Sequence, residues 1–220
     1  MRLKLLIPLA GLVLAMLPAS AGAASGGVCQ LAGTAAFNPG LTNTSGNFGY
    51  SFSGALSGCQ SSDATAPTSG NVEAGKTVTV SYNWSYVDST GVTHSGTANA
   101  TYQEPVPTGS GSCGSSTTAG TAIVTWADGT KTVETYSTTG AAAAVNLSGS
   151  VVPSATLNLA SYTGPTQAPP ASTDTVATTR YAGDTSQGLL AFQPPDPTLC
   201  STTGVTTAAI SGEVGLGSSS

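Results

Sequence analysis

The segment Thr77-Val-Thr-Val-Ser-Tyr-Asn-Trp-Ser-Tyr-Val87 alternates polar and apolar residues along its whole length. Successive side chains of a strand point to opposite faces, so this period of two predicts a β-strand with one buried face. The apolar set includes Trp84, and we expect its indole in the core. Strand patterns of the same kind dominate the rest of the chain, and helical periodicity is almost absent after the first residues.

The same segment predicts a hairpin with a defined register. A three-residue loop, Ser89-Thr90-Gly91, leads into a return strand over residues 92–102, and its glycine suits the left-handed position of such a loop. Loops of two or four residues would set the apolar side chains opposite Thr and Asn, so the pattern selects the loop length. The resulting pairs are Trp84 with Gly96, Tyr82 with Ala98, Val80 with Ala100 and Val78 with Tyr102.

A second hairpin is predicted over residues 120–137, where Asp128-Gly129 indicates a two-residue turn. That turn pairs Val124 with Val133 and Trp126 with Lys131. It sets Glu134 opposite Ile123, facing solvent. We expect Trp126, beside the turn, to lie at a sheet edge or to be partly exposed.

Further strands are predicted over residues 28–37, 47–57, 145–152, 155–161, 176–182, 187–193 and 204–214. Polar loops rich in Pro, Gly and Ser separate them, over residues 61–70, 104–118, 164–172 and 194–197. About ten short strands with frequent turns predict a single antiparallel β-sandwich over residues 24–220, immunoglobulin-like or jelly-roll-like. Two small domains are the alternative organisation.

Residues 1–23 have the pattern of a secretory signal peptide. Arg2 and Lys4 precede an apolar run over residues 5–17, and small residues follow it up to Ala23. The run is too short to span a bilayer as a retained helix. Gly26-Gly27-Val28 before Cys29 does not fit a lipid-attachment site, so we expect a secreted, extracellular protein without a membrane anchor.

The four cysteines, Cys29, Cys59, Cys113 and Cys200, predict two disulfides in an exported protein. Their spacing does not fit a zinc site, and no CxxC motif marks a catalytic thiol. Three pairings are possible. We favour Cys29–Cys59 with Cys113–Cys200, because a hairpin of the first two strands brings Cys29 and Cys59 level at its open end.

The composition excludes several classes of partner. The chain has a net charge of −5, and only three basic residues, Lys76, Lys131 and Arg180, follow the leader. So few bases cannot neutralise a phosphate backbone, which argues against nucleic-acid binding. Nor is there a polybasic segment for an anionic membrane. Low charge and 39% hydrophobic content argue against a disordered chain.

The order of several short motifs resembles small secreted actinobacterial β-rich proteins of unknown function. The motifs are Phe37-Asn-Pro-Gly-Leu41, Gly54-Ala-Leu-Ser-Gly-Cys59, Trp126-Ala-Asp-Gly129, Tyr181-Ala-Gly-Asp184, and Cys200 followed by Gly204-Val205. The resemblance covers nearly all of the mature chain. It implies an extracellular β-rich fold with disulfides and carries over no catalytic residue.

Candidate catalytic chemistry is sparse. His94 is the only histidine, and no G-x-S-x-G motif accompanies it for a serine hydrolase. Paired carboxylates could serve a glycosidase, yet Asp88 and Asp128 fall where turns favour aspartate. We expect no enzyme activity and no cofactor, and the sequence assigns no metal-ligating residue. Whether a structural calcium is bound stays open from the sequence.

Two function classes remain open from the sequence. The first is a non-catalytic secreted protein with a structural or surface- and matrix-associated role. The alternative is a module that binds a cell-envelope or environmental polysaccharide, with Trp126, Tyr50 and Tyr86 as candidate contacts. An exposed row of Trp and Tyr on one sheet would favour binding, because aromatic rings stack on the apolar faces of sugars. The sequence sets neither the ligand nor the oligomeric state.

Overall fold

The computed structural model describes residues 27–217. The predicted signal peptide, residues 1–23, lies outside the described residues. Within the described part, no helix is long and apolar enough to cross a membrane.

Residues 27–217 form thirteen β-strands and one short 3₁₀ helix, Pro197–Ser201. The strands are β1 (Gly27–Leu41), β2 (Gly46–Gln60), β3 (Gly70–Ala74), β4 (Thr77–Val87), β5 (Thr93–Gln103), β6 (Thr108–Gly111), β7 (Ser115–Trp126), β8 (Lys131–Ala141), β9 (Ala144–Val152), β10 (Ser154–Tyr162), β11 (Thr173–Ala177), β12 (Thr185–Gln193) and β13 (Val205–Leu216). The all-β prediction is confirmed. The sequence patterns did not predict β3 or β6.

Eight strand positions close into a barrel. The order around it is β1-β13-β12-β9-β8-β7-β3-β2, and β2 pairs again with β1. Every ladder is antiparallel. The predicted β-sandwich is therefore wrong: β1 pairs on both sides, with β13 and with β2, and the sheet closes on itself. Closure leaves the barrel sheet of residues 27–217 without the two edge strands of an open sheet.

Two short strands share one position in the barrel wall. β3 pairs with β2 at residues 52–56, and β6 pairs with β2 at residues 46–49. Both also pair with β7. Since both run antiparallel to β2, they follow one another like the two halves of a single strand. Hairpin β4–β5 leaves the barrel between them.

The remaining strands form a second sheet, in the order β11-β10-β5-β4. It covers the outer face of β7 and β8. There Ile123 and Val133 are buried together with Tyr102 and Leu157 of the second sheet. Strands β7 and β8 thus carry apolar side chains on both faces, so polar and apolar residues alternate less clearly along their sequences.

Hydrogen bonds fix the neck where β4–β5 leaves the barrel. The side-chain amide of Gln103 donates to the carbonyl oxygens of Gly75, Lys76 and Glu104 at 3.0–3.1 Å. The carboxylate of Glu104, only 3% exposed, accepts the Lys76 N–H at 3.0 Å. Burial raises the pKa of Glu104 above its usual value.

The register of β4–β5 is as the sequence predicts. Trp84 pairs with Gly96, Tyr82 with Ala98, Val80 with Ala100 and Val78 with Tyr102. Gly91 takes the left-handed conformation, with φ of 84°.

The predicted register of β7–β8 is wrong by one residue. Ala127-Asp-Gly129 forms a three-residue loop, in which the Gly129 N–H donates to the Trp126 carbonyl and Gly129 has φ of 82°. Val124 consequently pairs with Thr132, and Glu134 pairs with Ala122. A slip of one residue moves every side chain of a strand to the other face. Glu134 therefore points into the barrel interior, here called the lumen, instead of into solvent.

Two disulfides join the chain at opposite ends of β1, with the pairing favoured from the sequence. The first disulfide, Cys29–Cys59, links the start of β1 to the end of β2. The second disulfide, Cys113–Cys200, links the loop after β6 to the 3₁₀ helix.

Candidate binding site

The outer part of hairpin β4–β5 carries a row of aromatic rings on one face. Trp84 and Tyr86 on β4 and His94 on β5 lie on the same face, because Tyr86 is directly opposite His94 and Trp84 is directly opposite Gly96. Nearer the barrel on the same face, Tyr82 packs edge-on against Tyr162 of β10. We call the row of Trp84, Tyr86 and His94 the aromatic face.

The three rings are nearly parallel. The centroids of Trp84 and Tyr86 are 5.9 Å apart with an interplanar angle of 24°, and those of Tyr86 and His94 are 5.1 Å apart at 21°. All three residues are partly exposed. A Cβ atom on residue 96 would lie 2.7 Å from Cζ2 of Trp84, so the glycine leaves room for the indole on this side of the ribbon. The result is a contiguous row of stacked rings.

The turn at the tip holds the last ring in place. The Asp88 carboxylate accepts the N–H groups of Thr90 and Val92 at 2.9 and 3.0 Å, and the Thr90 hydroxyl at 2.6 Å. Its other oxygen lies 2.8 Å from Nε2 of His94. The Thr90 hydroxyl and then His94 hold the pKa of Asp88 well below its usual value. These contacts orient the imidazole before any ligand arrives.

The surroundings of the aromatic face are polar and almost uncharged. Between residues 77 and 103, Asp88 and His94 are the only acidic or basic side chains. The opposite face of the ribbon presents Ser, Thr and Asn side chains, which are exposed. Such a surface offers ring stacking and hydroxyl or amide hydrogen bonds, and little attraction for a strongly charged polymer.

Trp84 is the residue of this site that sequence reasoning missed. Its place in the alternating pattern predicted a core position, and that prediction is wrong because the indole is partly exposed. The pattern shows which side of a strand is apolar. It does not show how far along the strand a second layer covers that side.

The three contacts predicted from the sequence do not lie together. Tyr86 belongs to the aromatic face, whereas Tyr50 and Trp126 line the barrel interior. Trp126 is 3% exposed, and its indole N–H donates to the hydroxyl of Thr132 at 2.9 Å. Its expected partial exposure is therefore wrong. Its ring packs edge-on against Tyr181, 5.4 Å away.

Tyr50 belongs to a chain of hydroxyl groups inside the barrel. Its oxygen lies 2.6 Å from that of Tyr136 and 3.1 Å from that of Thr118, which in turn lies 2.7 Å from the hydroxyl of Thr138. Burial raises the pKa of Tyr50 and of Tyr136. Both phenols therefore remain protonated at any physiological pH.

Glu134 is the third residue that sequence reasoning placed wrongly. It is 9% exposed, lines the lumen and accepts a hydrogen bond from the Ser186 hydroxyl. Burial raises the pKa of this carboxyl group. The orientation of Glu134 toward the lumen follows from the register of β7–β8. The sequence would predict that register only if the turn at Asp128 were assigned as a three-residue loop.

Among residues 27–217, no group of three or more His, Cys, Asp and Glu side chains is arranged to hold a metal ion.

Comparison of the chain with family models, with curated proteins and with solved structures found no match. The resemblance to secreted actinobacterial proteins stays a prediction.

Proposed function

We propose that this protein is a secreted, non-catalytic protein that attaches to an uncharged polysaccharide of the cell envelope or the environment. The aromatic face of hairpin β4–β5 is the binding surface. The observation that carries the proposal is the stack of three nearly parallel, partly exposed rings. By this attachment the protein would become a surface or matrix component.

The compartment fits this role. Two disulfides indicate an oxidising environment of the extracellular type. The leader-like residues 1–23 support export through the secretory pathway.

Ring geometry supports a sugar ligand. A pyranose presents C–H groups on one face, and these pack against an aromatic ring while the hydroxyl groups at its rim stay hydrated. Rings that already lie nearly parallel to one another, with the last ring, His94, held by Asp88, lose little conformational entropy on binding. Consecutive rings suit a ligand of consecutive sugar units, which favours a polymer over a monosaccharide.

The distribution of acids and bases supports a role without catalysis. His94 is held by Asp88 at the ribbon tip. The two buried carboxyl groups, Glu104 and Glu134, lie at the neck and in the lumen, away from the aromatic face. A hydrolase needs an acid and a base that converge on one substrate atom.

Retention on insoluble polysaccharides tests the proposal. Purified protein with both disulfides formed is incubated with cellulose, chitin and isolated cell wall, and bound and free fractions are compared. We expect retention on at least one matrix, and its loss in Trp84→Ala and in Tyr86→Ala. Ser85→Ala is the matched control, since Ser85 lies between these residues on the opposite, exposed face.

Gly96→Ala provides a second control that keeps every ring. The added methyl group meets the indole of Trp84 and tilts it out of the row. We expect weaker retention with unchanged thermal stability. Retention that survives Trp84→Ala would contradict the aromatic face as the site. No retention on any matrix would contradict polysaccharide binding itself.

A further inference from the structure

The barrel interior contains a cavity of about 140 Å³. Most of its lining is aliphatic or aromatic, from strands on every side of the barrel. Representative members are Leu31, Phe52, Val124, Leu147 and Leu190. Eight-stranded barrels either fill their interior with side chains or hold one small ligand. This lumen is not filled, and its volume is comparable with the roughly 150 Å³ apolar cavities that take up benzene.

One side of the cavity is polar. Glu134, Tyr136 and Thr138 alternate along β8 and all line the cavity, and Ser186 of β12 faces them. The hydroxyl groups of Tyr136 and Thr138 are engaged with Tyr50 and Thr118, as described above. Glu134 differs: within residues 27–217, Ser186 gives the only hydrogen bond to its carboxyl group, and it does so at Oε1. Oε2 is left for a ligand.

We propose that the lumen binds one small, mostly apolar molecule that carries a single uncharged hydroxyl or carbonyl group, and that Glu134 hydrogen-bonds this group. A cavity with an apolar lining and a few convergent polar atoms is the usual form of a small-molecule site. The apolar walls select the body of the ligand. The carboxyl group fixes its orientation.

An uncharged ligand group suits the state of the carboxyl. Burial favours the neutral form of this carboxyl group. The neutral group can donate a hydrogen bond to a ligand oxygen and can accept one from a ligand hydroxyl group. A buried carboxyl group that serves only the fold would be expected to have all its hydrogen bonds within the protein. Glu134 makes one.

The cavity lies close to the surface at one point. Phe48 and Thr118 line the cavity, and both also line a shallow surface depression with Asn38, Pro39 and Asn47. A single layer of side chains therefore separates the lumen from solvent there. Phe48, which is 5% exposed, is the largest side chain shared by the cavity and the depression.

Three probes of nearly equal size separate the possibilities: benzyl alcohol, toluene and benzylamine. Each is titrated into the disulfide-bonded protein at pH 7 and followed by methyl NMR, with Leu190 and Val124 as lumen reporters and Val87, exposed at the ribbon tip, as the outside reference. We expect benzyl alcohol to shift the lumen methyls saturably and to bind more tightly than toluene or benzylamine.

Substitutions in the lumen test the role of the Glu134 carboxyl group and of the cavity volume. Glu134→Leu removes the polar contact and is expected to weaken benzyl alcohol about three- to tenfold, the value of one net hydrogen bond, without weakening toluene. Ala122→Phe fills the space opposite Glu134 and should abolish both. Ala74→Leu narrows the lumen from β3 and serves if Ala122→Phe does not fold. Trp84→Ala, in the aromatic face, should change nothing.

Several results would overturn the inference. Lumen methyls that respond to none of the probes would show that the cavity takes no ligand. Equal weakening of toluene and benzyl alcohol by Glu134→Leu would remove the role of the carboxyl group. Tightest binding by benzylamine, lost in Glu134→Gln, would replace the uncharged ligand with a cationic one. Polysaccharide retention that fails while benzyl alcohol binds would contradict the proposed function alone.

Discussion

The hydroxyl group of Thr132 is a buried link whose removal has a predictable cost. Thr132 is fully buried, accepts the indole N–H of Trp126 at 2.9 Å and donates to the Arg180 carbonyl at 3.0 Å. Thr132→Val keeps the shape of the side chain and removes both hydrogen bonds. The indole N–H then stays buried without this partner, and the part-buried carbonyl of Arg180 loses one donor.

The magnitude follows from the two groups that lose their partner. Each buried polar group left unpaired costs about 1–3 kcal/mol. The carbonyl has a second lone pair and relaxes more easily than the indole N–H, so we expect a total of about 2–4 kcal/mol. For a domain of this size, that loss lowers Tm by roughly 5–15 °C.

Urea unfolding followed by tryptophan fluorescence measures the change. A Trp84→Phe background leaves Trp126 as the only tryptophan, so the signal reports the barrel. Thr135→Val is the matched control on the outer face of the same strand, where the side chain is exposed. If Thr132→Val unfolds within about 0.5 kcal/mol of Thr135→Val, the scale of an ordinary surface substitution, the buried link contributes nothing.

Three further predictions concern other parts of the fold. Burial raises the pKa of Glu134 in the folded state, so the protein should lose stability as pH rises from the unfolded-state pKa of about 4.3 through the folded-state pKa. The loss should be about 1.4 kcal/mol for each pH unit that separates the two pKa values. Glu134→Gln should flatten this part of a Tm–pH profile. Replacing both cysteines of the second disulfide, which closes a loop of 87 residues, should lower the free energy of unfolding in urea by about 4–5 kcal/mol. Replacing both cysteines of the first disulfide, which closes a loop of 30 residues, should lower it by about 3–4 kcal/mol. The reverse order would contradict a loop-entropy origin of this stabilisation. Gln103→Ala removes the three hydrogen bonds that the Gln103 amide donates at the neck and should cost about 1–3 kcal/mol, with faster amide exchange at Lys76 and Glu104. Unchanged exchange would show that the bonds between Lys76 and Glu104 hold the neck without it.

Local features of this fold could be predicted from the sequence. The register of β4–β5 follows from the match of large to small residues across the hairpin, because only one loop length gives that match. The pairing of Cys29 with Cys59 follows from the adjacent strands that carry them. Both depend on residues close together in the chain.

The barrel depends on residues far apart in the chain. β1 and β13 pair from Gly27 opposite Leu216 to Ala36 opposite Thr207, and this ladder decides between a closed and an open sheet. Alternating strands in a sandwich and in a barrel look alike, since both bury one face. No pattern within a single strand distinguishes them.

The length of one turn decides which side chains of β8 face the lumen, and the sequence pattern predicts this length wrongly. Asp128-Gly129 suits a two-residue turn, but the loop starts one residue earlier, at Ala127, and the register moves with it. Ile123 and Val133 pack under the second sheet, so apolar residues on both faces of β7 and β8 gave no independent check. The predicted two-residue turn, one residue out of register, therefore places Glu134 on the outer surface.

The divided strand position separates the hairpin that carries the aromatic face from the strand pairing of the barrel. Gly75 and Pro107, where hairpin β4–β5 departs and returns, are in near contact: a Cβ on residue 75 would lie 2.8 Å from Cδ of Pro107. The outer end of the hairpin can thus be lengthened, shortened or given other rings without changing the number or stagger of the barrel strands. If the aromatic face binds as proposed, exchange of this one insert would change the specificity of the protein without altering the strand pairing of the barrel.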